Sequence, residues 1–140
     1  MFWRRRFYKS PISSVPAGEK KCLIRHKGQI NVRQLAIRYD GDDTTGSNLC
    51  VITIIIDGEE IINYTIRDLA RCFCNWLPGA HLKAPFVIRD YSDTAKRYSL
   101  MFFDLGTVKE NIEVWFENVD TSKGAGVFSG MIYDVYEEGK

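Results

Sequence analysis

The stretch that most constrains the fold is the last long one, residues 112–136, where two strand patterns are joined by a turn-forming segment. Ile112, Val114 and Phe116 alternate with other side chains, which is the period of a strand with one face on a core. Residues 118–126 are rich in Asp, Ser and Gly, which turns select because they tolerate unusual backbone angles. The second pattern is apolar on both faces. The pair therefore predicts a β fold in which the last strand is covered on more than one side.

Six further runs have the length and apolar content of strands: 20–26, 30–39, 49–56, 59–64, 86–90 and 98–105. In the run 30–39 the alternation changes phase, which predicts a β-bulge at Arg33-Gln34. Asp57-Gly58 is a two-residue hairpin signal. Thr65 is a predicted helix N-cap with Asp68 three residues later, and an apolar stripe with 3.6-residue periodicity predicts one helix over residues 65–77, ended by Pro78-Gly79.

About eight short strands at 8 to 12-residue spacing and one short helix predict an all-β fold, an antiparallel β-sandwich or barrel. We expect one domain over residues 19–140, because 140 residues bury enough surface for a single core. Residues 1–18 are expected to form a separate N-terminal arm, extended, mobile or ordered by a partner. Pro11 and Pro16 in that segment disfavour a helix or a central strand.

The overall composition is that of an ordered globular protein, with 45% hydrophobic and 26% charged residues. No apolar run approaches the ~20 residues that span a bilayer, and no apolar signal-peptide core follows the N-terminus. The four cysteines are therefore expected to be reduced thiols. The net charge of +1 hides an asymmetry, since the first nine residues carry +4 and the other 15 basic and 18 acidic residues sum to −3.

No pattern in the chain predicts catalysis. Cys72 and Cys74 are two residues apart on the predicted helix, so their side chains point roughly 200° from each other and cannot grip one metal ion. The loop at Asp40 lacks the spacing of a calcium site, and no known catalytic or phosphate-binding motif occurs. We therefore expect no enzyme activity, no metal, no cofactor and no small-molecule substrate.

The N-terminal arm combines cations with aromatic rings, and we predict that it is a contact site. This mixture suits nucleic acid, through phosphate pairing and base stacking, or an anionic membrane surface, through charge and interfacial rings. A disordered basic terminus that only aids solubility is the alternative. The predicted contact residues are Phe2, Trp3, Arg4, Arg5, Arg6, Phe7, Tyr8 and Lys9.

A second predicted contact involves apolar side chains on the faces opposite the expected core positions. These side chains are Trp115, Phe128, Ile132 and Tyr136. A monomer rarely leaves a large apolar patch in water. We therefore expect them to form a subunit contact or to meet a second packed layer.

The strand order, the internal helix after Asp57-Gly58 and the ending IEVWFENVDTSKGAGVFSGMIYDVYEE resemble the single jelly-roll capsid proteins of icosahedral viruses, particularly those of bacteria or archaea with an internal membrane. The resemblance covers most of the chain from Glu19 onward and implies an all-β fold, an antiparallel jelly-roll β-sandwich of about eight strands with one short helix. It implies a structural virion protein, made in the host cytoplasm, that assembles with copies of itself and other capsid proteins. It also implies that the basic arm faces inward to viral membrane or nucleic acid. The alternative is a non-enzymatic β-sandwich binding module for carbohydrate, protein or nucleic acid, such as an accessory phage protein.

Overall fold

A computed structural model describes residues 2–40, 48–73, 86–92, 97–120 and 124–137. Within these ranges the chain forms strands and one short helical segment, in the order β1 (Phe2–Lys9), β2 (Ser14–Val15), β3 (Lys20–Lys27), β4 (Ile30–Asp40), β5 (Val51–Ile56), β6 (Glu59–Thr65), α1 (Ile66–Asp68), β7 (Phe86–Ser92), β8 (Arg97–Val108), β9 (Asn111–Glu117) and β10 (Ala125–Glu137). A π-helical stretch, Leu69–Phe73, continues α1.

The strands form two antiparallel sheets. Sheet A has the order β1-β10-β4-β8-β7, with β2 also paired to β10, and sheet B has the order β3-β9-β5-β6. If β2 and β7 are set aside, the first of the remaining eight strands pairs with the eighth, the second with the seventh, the third with the sixth and the fourth with the fifth. This is the strand order of a jelly roll, a long hairpin rolled into two facing sheets. The predicted antiparallel jelly-roll sandwich is confirmed.

The core lies between the sheets and is built from the inward side of each strand. Ile112, Val114 and Phe116 of β9 are fully buried, as their alternation predicts. The rings of Tyr39 on β4 and Phe116 on β9 meet with centroids 5.3 Å apart. The rings of His26 on β3 and Tyr133 on β10 meet at 5.0 Å. Because β3 lies over β10 and β9 over β4, the edge strands β1 and β3 are on the same side of the sandwich.

Two local predictions in the sheets are confirmed. The pairing of β4 with both of its neighbours shifts register around Arg33, where the predicted bulge lies. Asp57 and Gly58 both have positive φ angles, 52° and 81°, as a tight hairpin requires. The Asp57 carboxylate also accepts hydrogen bonds from the backbone N–H groups of the β8–β9 turn, at Lys109, Glu110 and Asn111, over 2.7–3.1 Å. These hydrogen bonds lower the pKa of Asp57, and the bond from the Glu110 N–H has the largest effect.

The helical segment starts where predicted but changes form. Thr65 Oγ1 accepts a hydrogen bond from the Asp68 N–H over 3.1 Å, which confirms the N-cap. After three α-helical residues the segment widens into a π-helix, and Phe73 becomes half-exposed instead of continuing the buried stripe of Ile66 and Leu69. The predicted end at Pro78-Gly79 lies outside the described residues.

The expected start of the folded domain near Glu19 is wrong. Residues 2–9 form β1, an edge strand of sheet A that pairs with β10 along its whole length. The short β2 pairs with β10 as well, and Val15 is fully buried. Pro11 and Pro16 lie outside both strands, so their missing N–H groups cost no sheet bond. Three consecutive arginines hide the alternation of β1, because they place charge on both of its faces.

Candidate interaction surface

The predicted arm is held as an ordered strand with two different faces. Tyr8 lies opposite Met131, a buried residue, so Tyr8, Arg6 and Arg4 lie on the side of β1 turned toward sheet B. Phe7 lies opposite Ile132, so the alternate residues Trp3, Arg5, Phe7 and Lys9 lie on the outer side of sheet A. Of Phe2 only the backbone position is described, opposite Glu137.

The structure brings two predicted sites together on the outer side of sheet A. Trp3 of the arm packs on Tyr136 of β10, with ring centroids 5.0 Å apart. Phe7, 77% exposed, sits beside Ile132, and Phe128 is 50% exposed on the same side of β10. Trp3, Phe7, Phe128, Ile132 and Tyr136 are called the aromatic face from here on. Its members come from opposite ends of the sequence because the first strand of a jelly roll pairs with the last.

A shallow depression of about 330 Å³ lies within the aromatic face. Phe7 and Ile132 line part of it, together with the small residues Ala36 and Gly130. Small side chains at adjacent positions on two strands leave the sheet surface low between larger neighbours. The depression therefore offers an apolar, solvent-open surface to a partner.

Trp115 is not part of the aromatic face. It lies on β9, on the outer side of sheet B, and the two sheets separate it from Phe128, Ile132 and Tyr136. The Lys20 Nζ and Arg25 Cζ atoms each lie 5.7 Å from its ring centroid. Two cations close to the ring give this surface a mixed, charged character.

An ion-pair cluster lies on the outer side of sheet A, in the row between the Trp3–Tyr136 and Phe7–Ile132 pairs. The Asp134 carboxylate accepts hydrogen bonds from Arg5 Nε over 3.1 Å and from Arg33 Nε over 2.7 Å. The Arg5 hydrogen bond, followed by that of Arg33, lowers the pKa of Asp134, and Asp134 in turn raises the pKa of Arg33. Asp134 is only 5% exposed. Sequence reasoning missed this residue, although one acidic side chain within an apolar strand is a signal of a buried charge with a partner.

The cysteine and histidine side chains offer no shared site among the described residues. Cys50 is buried, Cys22 half-buried and Cys72 exposed, and none of the three forms a disulfide with another described cysteine. Burial raises the pKa of the Cys22 thiol, with the charge of Glu113 acting in the same direction. The described parts of the chain contain no group of three or more His, Cys, Asp or Glu side chains able to hold a metal ion. Cys74 and His81 lie outside the described residues.

A second cavity, of about 310 Å³, opens at the other side of the sandwich, between β6 of sheet B and the β7–β8 edge of sheet A. The described side chains that line it are apolar or aromatic: Ile61, Ile62, Tyr64, Leu69, Phe73, Phe86, Phe102 and Leu105. None of these is charged. The cavity thus gives no argument for catalysis.

Comparison with known proteins assigns no family to the chain. Neither a scan against protein-family models nor a search of curated proteins gave a match. Across the described ranges, no helix has both the length and the apolar character needed to cross a membrane.

Proposed function

We propose that the protein is a structural capsid subunit that assembles with copies of itself and other capsid proteins into an icosahedral virus shell. The strand order carries this proposal. Jelly-roll sandwiches are the architecture of many viral capsid proteins, because two closely packed sheets give a rigid block with broad faces for neighbours. The same architecture also occurs in lectins and other proteins, so support for assembly has to come from the residues on the surface.

The aromatic face supports assembly. Its four aromatic side chains are substantially exposed, from 36% for Tyr136 to 77% for Phe7. Several large apolar side chains exposed on one side of a sheet are typical of an interaction site, since burying them against a partner removes apolar surface from water. Copies packed side by side through the β10 part of this face, Phe128, Ile132 and Tyr136, would bury apolar surface that a single copy leaves in water. Trp3 and Phe7 of β1 would stay available to the contents of the particle.

The cations of β1 support the second part of the proposal, that this strand faces the contents of the particle. An ordered strand presents Arg and aromatic side chains at fixed spacing, without the entropy cost of ordering a free tail. Phosphates of nucleic acid or of lipid headgroups are the partners that such side chains fit. In this role the protein performs no chemistry and is carried in the virion after synthesis in the host cytoplasm.

A non-enzymatic binding module is the second candidate. The depression between Phe7 and Ile132 and the exposed ring of Phe128 favour it, because flat rings around an open surface are suited to sugars and extended peptides. The two candidates differ in assembly state. A capsid subunit forms large symmetric particles, whereas a binding module remains a monomer or small oligomer.

The test is light scattering and electron microscopy of the intact chain across a range of protein concentrations. We expect particles or symmetric rings for the wild type, and loss of these species in F128S/I132S. The control L49S/I61S also replaces two exposed apolar residues, 41% and 40% exposed, away from the aromatic face, and should assemble normally. A wild-type protein that stays monomeric at every concentration contradicts the capsid proposal, and unchanged assembly of F128S/I132S excludes the aromatic face as the contact.

A further inference from the structure

The positive charge of this protein is concentrated in two strands. β1 and β3 each contain four basic residues and no acidic residue, which gives +8 in 16 residues. The other 124 residues carry 11 basic and 18 acidic side chains, a net charge of −7. Sequence analysis singled out only the first of the two strands, because charge counted along the chain does not reveal which strands become neighbours.

The fold places these two strands on the same side of the sandwich, where they form what is called here the basic edge. Arg5 and Lys9 lie on the outer side of sheet A, and Arg4 and Arg6 lie on the opposite side of β1. Three more cations lie on the outer side of sheet B, because they alternate with its core positions: Lys20, Arg25 and Lys27. Facing sheets lie ~10 Å apart, so cations surround a narrow edge on three sides.

Nearby carboxylates offset only part of this charge. Three of them have described side chains on the adjoining strands: Asp134, Glu113 and Glu117. Asp134 is bound by Arg5 and Arg33, and Glu113 lies 3.7 Å from Arg25 in an ion pair whose arginine is 57% exposed. With Glu137 of β10 counted as well, eight cations against four carboxylates leave a net charge of about +4 along two strands of eight residues, each ~26 Å long.

Aromatic rings accompany the cations on the outer side of β1. Trp3 is 47% and Phe7 is 77% exposed, and they alternate on this side with Arg5 and Lys9. Unpaired nucleic-acid bases stack on such rings, and the phosphates between them pair with cations. Double-stranded nucleic acid has its base faces covered by stacking, so it can use the cations but not the rings.

We propose that the basic edge binds single-stranded nucleic acid, with phosphates along β1 and β3 and bases stacked on Trp3 and Phe7. A flexible strand can follow cations around three sides of a narrow edge, whereas a flat anionic membrane reaches one side at a time. The side that carries Trp3 and Phe7 offers a membrane only Arg5 and Lys9 from β1, and Arg5 is shared with Asp134. This inference deepens the proposed function by naming the partner of β1, but binding itself does not require assembly.

The test uses protein freed of nucleic acid at high salt, with fluorescent oligothymidylate, a duplex of equal length, and vesicles of phosphatidylcholine with phosphatidylglycerol as probes. We expect oligothymidylate to bind most tightly, with an affinity that falls as salt rises. Each lost phosphate contact reduces the slope of log K against log salt by about 0.7 for a single strand. The variant K20Q/K27Q should therefore bind more weakly, with a slope shallower by about 1.4.

Two controls separate the basic edge from general charge. R71Q/R97Q makes the same change in net charge away from β1 and β3 and should bind like the wild type. F7A should weaken oligothymidylate binding at least about fivefold while leaving duplex binding unchanged, and Y64A, which removes an exposed ring from β6, should change neither. Equal losses in K20Q/K27Q and R71Q/R97Q, tighter binding to vesicles than to oligothymidylate, or no binding to oligothymidylate would each overturn the proposal.

Particle formation is measured on the same preparations. A chain that binds oligothymidylate through the basic edge without forming particles contradicts the capsid proposal and leaves this inference intact. A chain that forms particles but does not bind oligothymidylate contradicts this inference and leaves the capsid proposal intact.

Discussion

At the scale of single residues, Asp134 is the side chain that ties distant parts of the sequence together. Its carboxylate joins a guanidinium from β1 to one from the bulge of β4, on the two strands that flank β10. The bulge matters because the extra residue, Arg33, falls outside the regular pairing and can turn its side chain to Asp134. A buried carboxylate with two charged partners is stabilised in its ionised form.

Replacing Asp134 with Asn should lower the free energy of unfolding by about 1 to 2 kcal/mol, because two charge-assisted hydrogen bonds are lost but both arginines are about half exposed. Urea unfolding at neutral pH measures this. D104N is the control, since its side chain is 79% exposed and 3.9 Å from Arg33, and it should cost less than about 0.5 kcal/mol. Equal costs for the two variants would show that Asp134 has no special role.

The same carboxylate predicts a pH dependence. Because Arg5 and Arg33 lower the pKa of Asp134 in the folded state, its contribution to stability is fully present above the unfolded pKa of about 4. That contribution is lost as pH falls through the lowered pKa of the folded state. The D134N variant should lack this part of the acid-induced loss of stability.

We expect His26 to cause a second pH dependence of stability, at higher pH than that of Asp134. Its Nδ1 atom is buried without a hydrogen-bond partner among the described residues, and burial lowers the pKa of the imidazole. The unfolded chain therefore binds a proton more readily, so stability is full above about pH 6.5 and falls as pH decreases through that value. Urea midpoints measured from pH 7.5 to 5 should fall less in H26Q than in the wild type. If the urea midpoint of H26Q fell with pH as steeply as that of the wild type, His26 would not be the origin of this pH dependence.

At the scale of elements, β1 differs most from what the sequence predicts, because residues 2–9 form a strand of sheet A and not a separate arm. Its backbone pairs with β10 over eight residues, and Tyr8 packs against the core. Arginine on an exposed edge strand also discourages pairing with a second copy. If two β1 strands paired antiparallel around Arg5, their arginines would lie opposite one another, and like charges in that position are unfavourable. The cations thus protect the edge while they make it attractive to phosphate.

A chain that starts at Glu19 should be less stable than the intact one. It loses β1 and β2, including the fully buried Val15, and leaves one edge of β10 unpaired. Loss of the Val15 side chain alone should lower the free energy of unfolding by at least about 1.5 kcal/mol, as measured by urea denaturation. The control R4Q/R6Q keeps both strands with less charge and should unfold near the wild type. An unchanged midpoint for the shortened chain would mean that residues 1–18 are only a tail.

At the scale of the whole molecule, the rolled hairpin brings the two ends of the sequence together and separates charge. The first strand pairs with the last, so the N-terminal rings and the C-terminal rings form one aromatic face. The same topology sets the first two long strands side by side as edges, which collects +8 on one side of a body that is otherwise acidic. One side of the sandwich therefore carries both surfaces to which we assign partners.

Sequence alone determined the features that depend on near neighbours along the chain. The alternation in β9 and β10, the phase change at Arg33, the positive φ angles at Asp57-Gly58 and the N-cap at Thr65 each follow from local stereochemistry or from the period of a half-buried strand. The sum of these signals was enough for an antiparallel sandwich or barrel, and the resemblance to single jelly-roll capsid proteins supplied the jelly-roll type.

Only the tertiary structure decided what depends on pairing across the chain. An edge strand such as β1 has one neighbouring strand and one buried side, so its sequence shows only a weak alternation of apolar and polar residues. Residues 2–9 form a strand because they pair with β10. The pairing of Asp134 with Arg5 and Arg33, and the separation of Trp115 from Phe128, follow from sheet order. So does the placement of β1 and β3 on the same side of the sandwich. Sequence distance carries no information about these contacts, because burial of the common core selects one arrangement of the strands as a whole.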